Sequence, residues 1–137
     1  MKKFLLMLMF VSVPAFADAP WSAQEAKENA RMLIDAVIEA QRVLKFALKM
    51  KDEQGWQQSV EIELIPMRDA FRAQSWLNNK NVELYEDCDE AATDFWLYSD
   101  TLFKKDSTLI LSVRDSDKRD FQKYFASCKK AAGWHGR

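Results

Sequence analysis

Glycine and proline are scarce in this chain, with three of each among 137 residues. All-β sandwiches and barrels need many turns, and these two residues supply much of the backbone geometry that turns require. So few turn formers argue against that class and favour long helices. The length is typical of a single domain.

An excess of positive charge is also lacking, since 20 Lys and Arg stand against 21 Asp and Glu. Nucleic-acid-binding domains usually carry a basic surface. We therefore do not expect nucleic acid as a partner.

Histidine is almost missing, and so are the common catalytic and metal-binding motifs. The one histidine, His135, follows Gly133 in a short C-terminal tail, which is a poor place for a positioned base. No glycine-rich phosphate loop, HExxH motif or zinc-ligand spacing occurs. Residues 115–120 lack the glycine that a calcium loop requires. We expect no catalytic residues, no metal site and no cofactor.

The first 17 residues have the composition of a secretory signal peptide. Lys2 and Lys3 precede an apolar run over residues 4–13, and Ala15 and Ala17 form an Ala-x-Ala cleavage motif. The run is too short for a membrane span, which needs about 20 residues. Cleavage after Ala17 would leave residues 18–137 as one helical domain without a membrane anchor. The short Lys-Lys signal favours the bacterial periplasm, with secretion as the alternative.

Cleavage also changes the charge. The loss of Lys2 and Lys3 lowers the basic count from 20 to 18 against 21 acidic residues, so the net charge becomes −3. The exported domain is mildly acidic and retains all five tryptophans.

Cys88 and Cys128 are the only cysteines, and both lie in the exported part. An even count in an oxidising compartment predicts a disulfide. The bond would close a loop of about 41 residues and stabilise the fold by about 4 kcal/mol in the chain-entropy model.

Apolar periodicity predicts two helices in the first half of the domain. Ser22 and Glu25 have the spacing of a capping box, and a stripe from Ala26 to Ala47 follows in three- and four-residue steps. We expect this helix to end at Gly55. Residues 56–77 alternate like a strand around Ile62, but a helical stripe covers more of them, so we predict a second helix with a kink near Pro66.

Two further helices are predicted in the second half. The third follows a cap at Asn81 and buries Leu84, Cys88, Ala91, Phe95, Tyr98 and Leu102. The fourth is capped by residues 115–117, buries Phe121, Phe125, Cys128 and Ala132, and ends at Gly133, with Trp134 folding back. Residues 106–114 fit a helical continuation or a short strand. The short connections predict an all-α, up-down-up-down four-helix bundle with one interhelical disulfide.

Two features indicate a binding surface. An acidic stripe recurs at helical spacing in the third helix and consists of Glu83, Asp87, Glu90 and Asp94. Trp134 and three other tryptophans lie near helix ends, where they either close the bundle or anchor a partner. Basic residues on the first helix, including Arg42 and Lys45, could offset the repulsion among the carboxylates of the stripe in place of a partner.

The leading hypothesis is a non-enzymatic periplasmic protein that binds a protein partner with a basic surface, as an inhibitor, immunity or accessory protein does. A haem- or metal-binding bundle is the alternative. Covalent haem attachment is not expected, because Ala131 and Ala132 stand where a CxxCH motif beginning at Cys128 needs cysteine and histidine. Met32 and His135 could hold haem only if the tail folds back. A chaperone-like or stress-response bundle is the third possibility.

Overall fold

The computed structural model describes residues 19–136, which form an up-down-up-down bundle of four helices without strands. Helix α1 spans Ala23–Met50. Helix α2 consists of Glu53–Ser59, a π-helical turn at Val60–Leu64, and Ile65–Trp76. A 3₁₀ helix at Lys80–Tyr85 leads into α3, Glu86–Thr101, and α4 spans Thr108–Ala131.

The predicted all-α bundle is therefore confirmed. The predicted signal peptide, residues 1–17, lies outside the described residues. None of the helices within residues 19–136 combines the length and the apolar composition that a membrane span requires.

The start of α1 agrees with the predicted capping box, but its end does not lie at Gly55. The Ser22 hydroxyl accepts from the Glu25 amide, and the Glu25 carboxylate accepts from the Ser22 amide. The helix ends at Met50, with Lys51 in the left-handed conformation at φ 55°. Asp52 then caps α2 by accepting from the Gly55 amide at 2.9 Å. Gly55 is thus part of the next helix start, where a Cβ would collide with the Asp52 carboxylate.

The predicted kink of α2 is preceded by a π-helical turn. The Ile65 amide donates to the Val60 carbonyl, five residues back. Pro66 follows directly and has no amide of its own to donate. Val60 and Leu64 are buried while Ile62 is exposed, so the apolar alternation in this segment does not form a strand.

Helix α3 is entered through 3₁₀ winding, which corrects the predicted cap at Asn81 and the burial of Leu84. Asn79 is the cap, and its side chain accepts from the Asn81 amide. Three residues per turn place Val82 and Tyr85 on the buried side. Leu84 falls between them and is 65% exposed.

Helix α4 begins well before the predicted cap at residues 115–117. Ser107 caps it by accepting from the Ile110 amide at 3.1 Å. Arg114 stabilises this early start, because it donates to the Thr101 carbonyl at 2.7 Å and pairs with Asp106 at 3.0 Å. Residues 108–114 are therefore helical.

The disulfide between Cys88 and Cys128 is confirmed, and it joins α3 to α4 with a Cα–Cα distance of 4.8 Å. Both residues are buried in the common core. Aromatic rings pack beside them in a continuous chain from α2 to α4, formed by Trp56, Phe95, Phe121 and Phe125.

Replacing Cys88 and Cys128 together by alanine should lower the free energy of unfolding by about 4 kcal/mol, because the unfolded chain regains the entropy of an open loop. Urea denaturation followed by circular dichroism measures the loss. An intact mass about 2 Da below that of the reduced chain provides the control that the bond is present in the parent protein. A loss below about 1 kcal/mol would contradict this expectation.

Candidate protein-binding site

The predicted acidic stripe is divided between two elements. Glu83 lies in the 3₁₀ helix, whereas Asp87, Glu90 and Asp94 lie in α3. Glu83 pairs with Lys80 at 2.9 Å, and Asp87 accepts a hydrogen bond from the Ser127 hydroxyl of α4. Partners within the chain therefore already engage two of the four carboxylates.

Asp94 belongs to a group of carboxylates at the seam between α3 and α4. It is half-buried, and burial raises the pKa of its carboxyl to about 6, with Glu90, Asp120 and Asp117 adding repulsion. Burial and Asp120 also raise the pKa of Asp117. Because charge at Asp94 is unfavourable in the folded state, this part of the stripe weakens the bundle near neutral pH.

A groove of about 940 Å³ lies between α1 and the centre of α2, and none of the residues of the acidic stripe lines it. We call it the α1–α2 groove. Its apolar lining consists of Met32, Ala36, Ile38, Ile62, Pro66, Met67 and Trp134. Three carboxylates complete the lining, from Asp35, Glu39 and Glu63, and no Lys or Arg contributes to it within the described chain. The groove thus combines apolar surface with negative charge.

Local sequence explains how α1 and α2 form this groove. The π-helical turn carries Ile62, which is 74% exposed, and Pro66 follows one turn later. On α1, Met32 is 52% exposed, and the short side chain of Ala36 keeps the space between the helices open. Large apolar side chains are therefore held at the surface by regular backbone rather than by a loose loop.

Trp134 reaches the groove through the turn that ends α4. Gly133 adopts φ +60°, the Trp134 amide donates to the Lys129 carbonyl, and the Gly133 amide donates to the Lys130 carbonyl. These two bonds make a Schellman motif, which reverses the chain direction. The Trp134 indole then donates to the Asp35 carboxylate at 3.2 Å. The predicted fold-back of Trp134 is confirmed.

Arg31 secures the same turn from α1. Its guanidinium donates to the Ala132 carbonyl at 2.9 Å. The end of α4 is therefore attached to α1 beside the groove.

The other predicted tryptophan anchors occupy different environments. Trp56 is 1% exposed in the core, and Trp21 packs edge-on against Phe71. Trp76 is 80% exposed at the end of α2. Of these helix-end tryptophans, Trp134 is the one that lines the groove.

Among residues 19–136, no group of three or more His, Cys, Asp or Glu is arranged to hold a metal ion. Both cysteines are in the disulfide, and His135 is exposed in the tail.

The groove is not predicted from the sequence. Its signal is the presence of Met32 and Ile62 off the buried stripes of their helices. Such positions indicate exposed apolar surface, but their proximity depends on how α1 and α2 pack.

Comparison with models of protein families, with curated proteins and with solved structures finds no significant match to the chain.

The pKa of Asp94 makes stability depend on pH. Folding favours the protonated form of the Asp94 carboxyl. The contribution of this protonated carboxyl to the free energy of unfolding is therefore complete below pH 4 and is lost as the pH rises through 6. A pKa rise of this size corresponds to about 3 kcal/mol, and solvent screening of this half-exposed group reduces the expected effect to about 1 kcal/mol. Asp94→Asn should therefore stabilise the protein by about 1 kcal/mol at pH 7.5 and have little effect at pH 4.

Urea denaturation at the two pH values measures this difference, with the exposed Asp115→Asn as the matched control on α4. Equal effects of Asp94→Asn at both pH values would contradict the explanation.

Proposed function

We propose that this is an exported, non-enzymatic protein that acts by binding a protein partner in the α1–α2 groove, in the manner of an inhibitor, immunity or accessory protein. The observation that carries the proposal is the exposed apolar surface of Met32, Ile38 and Ile62, joined to Trp134 in one groove. Contiguous apolar surface on a soluble domain is typical of interaction sites.

Export is supported by the composition of residues 1–17 and by the buried disulfide. A bond between Cys88 and Cys128 suits an oxidising compartment, where structural disulfides persist. The periplasm is the compartment that we propose.

The chemistry of the groove suggests what kind of segment it binds. Two packed helices form its walls, a shape that accepts an amphipathic helix. Met32 and Met67 can adapt to different apolar side chains, and Trp134 offers a rigid aromatic contact. The carboxylates favour Lys and Arg beside those apolar side chains, and they belong to Asp35, Glu39 and Glu63. The partner we propose presents a basic amphipathic helix.

A non-catalytic role is supported by the distribution of reactive groups. His135 is exposed in the tail, and both cysteines are in the disulfide. The groove contains carboxylates but no hydroxyl, thiol or imidazole among its lining residues. Acyl transfer would need such a nucleophile next to a base.

The proposal predicts that Ile62→Lys weakens partner binding at least tenfold, because it places a large charged side chain in the groove. A phage-displayed library of helical peptides is the probe, and fluorescence titration of a selected peptide measures the affinity. We expect the selected peptides to carry apolar residues at three- and four-residue spacing with Lys or Arg beside them.

Leu84→Lys is the matched control, since Leu84 is similarly exposed at 65% but lies in the 3₁₀ helix outside the groove. Equal affinities of the Ile62→Lys and Leu84→Lys proteins would overturn the proposal.

The same titration tests whether the acidic stripe takes part in binding. The variant neutralises all four carboxylates of the stripe, namely Glu83, Asp87, Glu90 and Asp94. Weaker binding by this variant would show that the stripe contributes, and unchanged affinity would remove the stripe from the site.

A haem-binding protein is a second candidate because the tail folds back beside Met32. Trp134 and Met32 line the same groove, and His135 is the next residue along the tail. A Soret band that appears with haemin and disappears in Met32→Ala and His135→Ala would favour this candidate.

A chaperone-like protein would instead suppress the aggregation of unrelated unfolded proteins, and this suppression would not depend on Ile62.

A further inference from the structure

The second half of α1 carries an exposed apolar pair. Phe46 is 70% exposed and Met50 is 65% exposed, and the two lie one helical turn apart. Arg42, Lys45 and Lys49 are exposed around them. This surface therefore has the composition that the α1–α2 groove is suited to bind, namely apolar side chains surrounded by positive charge.

The first half of the same side of α1 has the opposite charge and is half-buried at Asp35 and Glu39. Asp35 and Glu39 lie there beside Met32, and all three line the groove. The complete stripe follows alternating steps of three and four residues along α1, as a coiled-coil seam does, and consists of Met32, Asp35, Glu39, Arg42, Phe46 and Lys49. Its acidic residues precede its basic residues, so the stripe is complementary to itself when two copies run antiparallel.

When the α1 helices of two copies cross antiparallel near residues 40–41, the acidic half of each stripe lies against the basic half of the other. Glu39 of each copy then faces Arg42 of the other. Phe46 of the second copy then faces the space between four residues of the first copy, at positions i, i+3, i+4 and i+7 counted from Met32. In a coiled coil, four residues at this spacing form the hole that receives a side chain from the facing helix. All four of these hole residues line the groove, namely Met32, Asp35, Ala36 and Glu39.

We propose that the chain forms a two-fold symmetric dimer through the solvent-facing stripe of α1, with Phe46 of each copy in the α1–α2 groove of the other. The inference rests on the proposed role of the groove as a protein-binding surface, and it names a second copy as an occupant. The two-fold axis fills both grooves in one association, so the assembly closes at two copies.

The charge pattern supports this arrangement over a purely apolar contact. Within one chain, Arg42 pairs with Glu39 three residues away, and its hydrogen bond lowers the pKa of the Glu39 carboxyl. Both side chains remain exposed, so the pair can exchange partners between copies with little loss of solvation. Parallel pairing would place Glu39 beside Glu39 and Arg42 beside Arg42, so like charges select the antiparallel direction.

Sedimentation equilibrium of the full exported chain tests the dimer. We expect twice the chain mass at micromolar to millimolar concentration, and a dimer dissociation constant at least tenfold higher for Phe46→Ser. Leu84→Ser is the matched control, because Leu84 is an exposed apolar residue away from α1. A single chain mass up to about 1 mM, or an unchanged dissociation constant in Phe46→Ser, would overturn the proposal.

Charge reversal tests the antiparallel register. Glu39→Arg alone makes both members of each facing pair positive, and Arg42→Glu alone makes both members negative, so each variant alone should be monomeric. An equimolar mixture of the two variants should restore a one-to-one dimer, because every facing pair is then opposite in charge. A mixture that stays monomeric, or single variants that dimerise like the parent chain, would contradict the register.

These outcomes are distinguishable from those of the proposed function. A monomeric protein that still binds selected peptides in an Ile62-dependent manner would overturn the dimer and leave the function of the groove intact. Peptide binding that does not depend on Ile62 would overturn the proposed function whatever the oligomeric state.

Discussion

The covalent bond between Cys88 and Cys128 joins the first turn of α3 to the last turn of α4. Just beyond Cys128, α4 ends in a Schellman turn whose carbonyls accept from Arg31 of α1. That turn directs Trp134 to Asp35 and so completes one side of the α1–α2 groove. The disulfide therefore ties to α3 the last turn of α4, from which the chain continues to the groove-lining Trp134. The end of α4 is held in addition by the burial of Phe125 and Ala132 in the core and by the hydrogen bonds from Arg31, which are individually worth about 1 kcal/mol.

Features that depend on local chemistry can be predicted from the sequence. The capping box at Ser22 needs only residues three positions apart, and a chain with two cysteines has a single possible intramolecular pairing. The turn at Gly133 is similarly local. In contrast, α-helical periodicity places Leu84 on a buried stripe, whereas the chain enters α3 through 3₁₀ winding. The cap at Ser107 has no equally clear signal, because Arg114, seven residues later, helps to stabilise the helix that starts there.

The candidate site can be predicted only in part, for a physical reason. The fold-back of Trp134 is predictable because Gly133 ends α4 one residue before it, and the structure confirms this fold-back, which brings Trp134 to the groove. The remaining lining comes from two helices, and the periodicity of one helix does not show which exposed residues of another lie beside it. The acidic stripe, in turn, is visible in the sequence, and the pairing of Glu83 with Lys80 three residues earlier is local. The hydrogen bond from Ser127 of α4 to Asp87 requires the tertiary structure.

The groove is apolar and acidic, whereas the second half of α1 is apolar and basic, so a second copy and a partner helix can occupy the same groove. In the proposed dimer, partner binding would then be regulated by dimerisation. A partner helix with the same composition would compete with the second copy, so that dissociation of the dimer would accompany partner binding. A photo-crosslinking amino acid placed at position 62 in living cells tests the central claim, that this groove binds protein, most directly. We predict adducts whose mapped peptide is a basic amphipathic helix, from this chain or from a partner, and none when the same residue is placed at position 84. Adducts of equal yield at both positions, or none at position 62, would contradict it.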